Sequence, residues 1–351
     1  MSAFNFDQAT IREIDERTSQ EAALWKSALW NSGAITNDPS LAAKVTANDG
    51  RLFTSHFYRD IPDPDDGANG PTYPDDSADL VPTGTLAKSE YQVLKSGPVA
   101  SWDMMSIMKR FDFMQDPIGV ISGMVNQYWA RYLDMVAVAQ ITGLIADSVA
   151  NHGSDVLVNI GNAAQAPDAT NTIQNDTIIE AEATAGDAAD FSTLVMHSRV
   201  YNNLRIQNLI DFIPSSDGKV NFSLYQGKVI IVSDKVPVAT GGANPVYTTY
   251  LLGTDVFRYG SGLGAGVIGF ENWRDPRTGK GAGQDQIISR IQFALHPMGY
   301  SWTDTTVTGS RSDGGDAAIY ANLADQRLAV NWDRVAFDRK HLSFAAIQSN
   351  G

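Results

Sequence analysis

The chain has no cysteine among its 351 residues. This absence excludes disulfides, thiolate catalysis and cysteine-based zinc sites, so packing or association must supply the stability. Histidine is also scarce, and no two histidines stand four residues apart. Because zinc needs three or four converging ligands, we predict no metal and no cofactor. The scattered histidines are His56, His152, His197, His296 and His341.

Positive charge is in short supply, with 26 basic against 40 acidic residues and a net charge of −14. Tight nucleic-acid binding is therefore disfavoured, since it normally rests on Lys and Arg. No basic region followed by an apolar run opens the sequence, so we expect a cytosolic origin. The most apolar stretch, residues 118–150, is interrupted by polar residues, and we interpret it as too polar to cross a bilayer. The polar residues that interrupt this stretch are Asn126, Gln127, Arg131, Asp134 and Gln140.

Motifs that would carry catalysis are missing or stand in the wrong context. Gly264, Gly266 and Gly269 have the spacing of a dinucleotide-binding loop, but Pro276 and further glycines follow where that loop needs a helix. Lys280 is followed by Gly281 rather than by the Ser or Thr of a phosphate-binding loop. The sequence also lacks a G-x-S-x-G elbow. We therefore predict that the chain is not an enzyme.

An amphipathic helix is predicted near the N-terminus, with Gly33 as its stop. Its narrow apolar stripe needs a cover, either from its own domain or from a neighbouring subunit. We take Trp25 and Trp30 as candidate assembly contacts. The stripe consists of Ile11, Ile14, Thr18, Ala22, Trp25 and Leu29.

Residues 51–58 and 88–94 are predicted strands that frame a long loop rich in Pro, Gly and Asp. The acidic cluster in this loop could hold calcium, but position twelve of such a site is Pro74, and a solvated loop is the preferred interpretation. Loops this long in compact domains are usually functional or disordered, and we take these acids as candidate assembly contacts. They are Asp63, Asp65, Asp66, Asp75 and Asp76.

The central part of the chain predicts a long helix followed by a small α/β layer. Pro117 opens an apolar periodicity of near thirty residues, equivalent to a rod of roughly 45 Å. A helix over 175–185, a strand over 193–196 and a helix over 200–208 capped by Ser198 follow. Lys228 then opens a strand, and residues 290–295 and 342–347 are strand-like.

Several segments resemble the major capsid proteins of tailed phages, in the order in which those proteins have them. FYRDIP (residues 57–62) resembles the start of their extended E-loop, and LAKSEYQVLKSGPVASWDMMSIM (86–108) with the segment 116–146 resembles their strand and spine helix. Residues 193–238, 247–262, 289–302 and 331–344 match further parts of the same pattern. The matches cover most of residues 50–345, whereas 1–48 and 303–325 match nothing we recognise.

This resemblance implies an α+β chain with the Hong Kong ninety-seven fold. It implies an N-terminal arm (1–48), an E-loop with its flanks (49–98), a peripheral domain (99–185 and 287–335) with a spine helix at about 117–150, and an axial domain (186–286 and 336–351).

The implied function is self-assembly into pentamers and hexamers of an icosahedral shell in a virion, built in the host cytoplasm. Expected partners are other copies of the chain, a portal, a separate scaffolding protein, decoration proteins, and double-stranded DNA without sequence-specific contact; no membrane is expected. The alternative within the same fold is the shell subunit of an encapsulin-like compartment.

Overall fold

The computed structural model describes residues 29, 32–47, 50–59, 61, 71–73, 76, 87–105, 117–188, 190–207, 210–214, 221–264, 267–308, 320–336 and 338–351. The described part mixes helices and sheets, as the sequence predicts. The α-helices are α1 (Pro39–Thr46), α2 (Pro117–Asn151), α3 (Asn175–Ala183), α4 (Ser198–Ile206) and the short α5 (Leu323–Gln326). The strands of the first half are β1 (Ile35–Asn37), β2 (Leu52–Tyr58), β3 (Lys88–Ser96), β4 (Val99–Met105), β5 (Leu157–Asn159), β6 (Phe191–Met196), β7 (Asp211–Pro214), β8 (Asn221–Tyr225) and β9 (Lys228–Val232). Those of the second half are β10 (Val238–Ala239), β11 (Val246–Gly253), β12 (Phe257–Ser261), β13 (Phe270–Asp275), β14 (Gln284–Arg290), β15 (Phe293–Pro297), β16 (Tyr300–Trp302), β17 (Trp332–Arg334) and β18 (Phe344–Asn350).

An eight-stranded sheet in the order β5-β18-β11-β6-β9-β8-β7, with β10 beside β11, forms the largest layer. Alternate residues of its central strands point to opposite faces. Leu194 and Leu251 face a core that α3 and α4 cover, while Val195 and Leu252 face the core that contains α2. The sheet therefore lies between two helical layers.

Helix α2 is 35 residues long, which corresponds to about 50 Å. Pro117 stands at its first position, where the missing N–H costs nothing. By length and composition, residues 124–151 are apolar enough to cross a membrane. The interpretation that polar residues alone exclude a membrane span here is therefore wrong. More than half of the apolar window is buried inside the protein. Gln140 donates to the backbone oxygen of Leu295 at 2.9 Å, which identifies α2 as a core helix.

A five-stranded sheet in the order β1-β12-β15-β3-β2 joins the start of the described chain to the predicted hairpin. β2 and β3 pair antiparallel from Leu52 opposite Leu94 to Tyr58 opposite Lys88, so the predicted strand pair is confirmed. β1 pairs in parallel with β12 and is an edge strand of this sheet.

A smaller three-stranded sheet in the order β13-β14-β4 packs on α2. Trp129 of α2 donates to the hydroxyl of Ser289 in β14 at 2.9 Å. Strand β13, not a helix, follows the glycines at 264–269, which removes the helix dipole that a dinucleotide loop requires.

Several predicted boundaries differ from the observed ones, and two of the differences have a clear structural cause. Helix α4 begins at Ser198 and is capped by His197, whose Nδ1 accepts from the Arg199 backbone N–H at 3.1 Å. The predicted strand over 290–295 is two strands, because β14 ends at Arg290 and β15 begins at Phe293 in a different sheet.

The sheets cross the predicted domain spans. β5 and α3 belong to the predicted peripheral span but lie with the eight-stranded sheet. β12 and β13 belong to the predicted axial span but pair within the other two sheets, and β14 crosses the predicted boundary at residue 286. The division of the chain into domains stays a prediction.

Candidate assembly surface

The base of the β2–β3 hairpin is fixed to the body of the protein by polar and aromatic contacts. Lys44 of α1 donates to the Thr54 backbone oxygen at 3.3 Å and to the Ser55 hydroxyl at 3.2 Å. Tyr91 of β3 stacks on His296 of β15, with ring centroids 4.8 Å apart. Burial lowers the pKa of His296 to about 3, so this imidazole stays neutral and acts as a packing residue.

The far end of the hairpin is exposed and carries large apolar side chains. Tyr58 is 68% exposed, Ile61 77% and Tyr73 84%. Large apolar side chains that are exposed one by one are ordinary, so we take these three only as candidates for contact with another molecule. The contact residues predicted from the sequence are the acids of this loop and not these apolar side chains. The signal for Ile61 and Tyr73 is an apolar residue inside a Pro- and Asp-rich segment.

The predicted contact residues are not brought together within the described part of the chain. Asp76 is described and its side chain is exposed. Trp25, Trp30, Asp63, Asp65, Asp66 and Asp75 lie outside the described residues, as does the predicted N-terminal helix except for its last residue, Leu29, which is buried. The assignment of these residues to assembly contacts stays a prediction.

The outer face of the three-stranded sheet is a second exposed apolar surface. Strand alternation directs Ile287 and Ser289 toward α2 and leaves Trp273 on the opposite side, where it is half exposed. Val99 lies opposite Arg290, whose guanidinium donates to the Ile268 backbone oxygen at 3.1 Å. Val99 and Ile268 are both largely exposed beside this arginine.

A buried polar cluster at the C-terminal end of α2 holds three parts of the chain together. Arg339 donates to the backbone oxygens of Asp155, Leu342 and Phe344 and to the Thr184 hydroxyl, over 2.8 to 3.2 Å. Burial opposes ionisation of Asp155, but hydrogen bonds from Arg334 at 2.5 Å and from Ser148 hold its pKa below the ordinary value. The cluster is a structural clamp.

Asp147 lies close to this clamp in a less favourable setting. Burial raises the pKa of its carboxyl group, and hydrogen bonding from Asn151 only partly opposes that effect. His152 Nε2 lies 3.4 Å from one carboxylate oxygen. Perturbed acids can mark functional sites, but here the partners belong to the same helix and its end. Across the described ranges no three His, Asp or Glu side chains are grouped in a way that would hold a metal ion.

The chain is similar to known proteins in sequence and in fold. It is 26% identical to the major capsid protein of Bacillus phage SPP1 over 326 residues, which is 90% of this chain and 88% of that protein. No family model matches the chain.

Two solved structures share the fold. The capsid of Ralstonia phage GP4 superimposes with a TM-score of 0.53 at 12% identity, over 76% of this chain and 83% of that chain. The capsid asymmetric unit of Cyanophage Pam1 gives 0.52 at 9% identity, over 90% and 88%. The chain is therefore similar in sequence to a phage major capsid protein, and it has the fold of phage capsids, the Hong Kong ninety-seven fold.

Proposed function

We propose that the chain is a major capsid protein that self-assembles into the shell of a phage head. The observation that carries the proposal is the match to a phage major capsid protein over nine tenths of both chains. This match also favours a phage shell over the encapsulin-like compartment.

The structure provides surfaces suited to this role. Closed rings and shells require contacts between two different patches of one subunit. The exposed end of the β2–β3 hairpin and the outer face of the three-stranded sheet are two such apolar patches. The clamp around Arg339 is suited to holding the body rigid, and we assign no reaction to the chain.

The finer parts of the proposal concern organisation and partners. The axial domain is centred on the eight-stranded sheet, and the peripheral domain is centred on α2 and the three-stranded sheet. Copies form pentamers and hexamers in the host cytoplasm and become part of the virion. A portal and a separate scaffolding protein take part, decoration proteins bind outside, and double-stranded DNA is packaged without sequence-specific contact. The net charge of −14 supports the last point, because the subunit offers few cations to phosphates.

Expression of the full chain, alone and together with a candidate scaffolding protein, tests the proposal. Negative-stain electron microscopy is expected to show closed polyhedral particles of uniform diameter. A chain that stays monomeric under both conditions contradicts the shell function. Particles that enclose a protein cargo rather than DNA after infection would instead identify a compartment.

A further inference from the structure

Two helices cover the same face of the eight-stranded sheet and present opposite charges to the outside. Ile178 and Ala181 of α3 and Val200 and Leu204 of α4 point into the shared core. The opposite sides of both helices are exposed. Charged residues are ordinary on such outward sides, but each side here also carries a large exposed isoleucine.

The acidic helix face consists of Asp176, Ile179 and Glu180 on α3. Ile179 is 57% exposed and lies between the two carboxylates, which are four residues apart. Like charges at this spacing destabilise a helix slightly. Asp176 is favourable in the first turn of α3, but the position of Glu180 gives the isolated subunit no such benefit. No ion pair joins either carboxylate to another residue of the described chain.

The basic helix face consists of Arg199, Arg205 and Ile206 on α4. Ile206 is 79% exposed, and both arginines are exposed beside it. Arg205 lies over the ring of Tyr201 at 5.8 Å, and neither arginine pairs with a carboxylate among the residues that the structure describes. Like the acidic face, it combines two charges with an exposed isoleucine, but the charges are positive and stand six residues apart.

Both faces lie on the helices that cover one side of the sheet. Glu182 of α3 pairs with Lys228, at the start of β9. Helix α4 begins two residues after the last residue of β6, which runs parallel to β9. Arg199 therefore lies near the far end of these strands, whereas Arg205 and Ile206 stand at the other end of α4. One subunit presents both halves of a complementary pair.

We propose that the acidic helix face of one subunit docks on the basic helix face of a second copy of this chain. The inference rests on the proposed shell function and names a contact within it. The contact removes Ile179 and Ile206 from water together and brings two carboxylates opposite two guanidinium groups. Arginine is suited to such pairs because its planar fork binds carboxylates through two hydrogen bonds.

Charge reversal tests the pairing in the full chain. Glu180→Lys and Arg205→Glu are each expected to lower the yield of assembled particles about fivefold or more. One exposed ion pair changes the affinity of a single contact by up to about fivefold, and the effect accumulates because the contact recurs around the shell. The double variant is expected to recover most of the yield. Arg277→Glu, an exposed arginine on the turn after β13, is the control for net charge. Circular dichroism of the unassembled variants confirms folding.

Cross-linking identifies the partner directly, since the natural chain has no cysteine to give a background. Ile179→Cys and Ile206→Cys are made in separate chains, co-expressed, assembled and mildly oxidised. A disulfide between residues 179 and 206 of different chains is the expected product. The contact would be overturned if particles form without this disulfide and both charge-reversal variants assemble with normal yield. The proposed shell function would then still hold. If the wild-type chain forms no particles, the proposed function itself fails. Binding of a different protein to the two faces on complete particles would likewise overturn the contact between copies.

Discussion

Gly143 lies where α2 approaches α5 and β17 most closely, and adding one methyl group there should destabilise the subunit. An ideal Cβ at this position would lie 2.5 Å from Trp332 Nε1 and closer still to the Gln326 backbone oxygen. Those two atoms already form a hydrogen bond of 2.8 Å. Gly143→Ala must therefore separate the elements or break this bond.

The cost can be worked out from its parts. Overpacking costs about 1–3 kcal/mol, and a buried donor left without its acceptor costs about 1–3 kcal/mol. Alanine recovers about 1 kcal/mol of helix propensity. We expect a net loss of about 3 kcal/mol in the free energy of unfolding.

Urea unfolding of unassembled subunits, followed by tryptophan fluorescence, measures this loss. The matched control is Gly241→Ala, because nothing lies within 4 Å of its ideal Cβ, and it should change stability by less than about 0.5 kcal/mol. A Gly143→Ala subunit as stable as the wild type would refute the close approach of α2 to Gln326 and Trp332.

Three further predictions concern the clamp, its neighbour and the loop. Arg339→Met removes the donors of four hydrogen bonds, two of them fully buried and two partly buried, so it should cost about 3–5 kcal/mol in thermal unfolding. The exposed Arg277→Met should be neutral, and equal effects would contradict the clamp. Asp147→Asn should stabilise the subunit at pH 7, because burial raises the carboxyl pKa in the folded state and its ionisation then opposes folding. The difference in unfolding free energy between this variant and the wild type should disappear as the pH falls to the ordinary carboxyl pKa of 3.8 and below. A difference that does not change with pH would contradict the raised pKa of Asp147. Deleting residues 63–79 should leave circular dichroism unchanged but weaken contacts between subunits, and full-size shells of normal stability would count against the E-loop assignment.

The sequence predicted elements whose signals are local. Pro117 and the apolar periodicity after it indicated α2, and the alternation on each side of the Pro- and Asp-rich loop indicated β2 and β3. The break between β14 and β15 has no such signal, because apolar residues continue through Ile291. The backbone N–H of Ile291 donates to Pro98 at 3.3 Å, a contact with a distant part of the chain. The cap of α4 was missed because histidine is not among the usual N-cap residues.

The prediction of function depended on the resemblance to phage capsid proteins more than on any single residue. The absence of motifs argued against catalysis without indicating assembly. Contact surfaces between subunits are difficult to predict from one sequence because their partner is another molecule, and an exposed Ile179 or Tyr73 has the same letter as a buried one. Only the fold distinguishes them.

Strand β3 has a mechanical consequence for the shell. Its 9 residues span about 30 Å, with the first five largely open to solvent and the last four buried beside β15. Lys95 at the inner end donates to the Val45 backbone oxygen at 2.8 Å, which fixes that end in the body. The hairpin is thus anchored in the core at one end and projects into solvent at the other. In the proposed shell, we expect a force that a neighbouring subunit exerts on the hairpin tip to be transmitted to β15. The hydrogen bond between Gln140 and Leu295 then transmits it to α2, so that strain in one subunit can spread to the next.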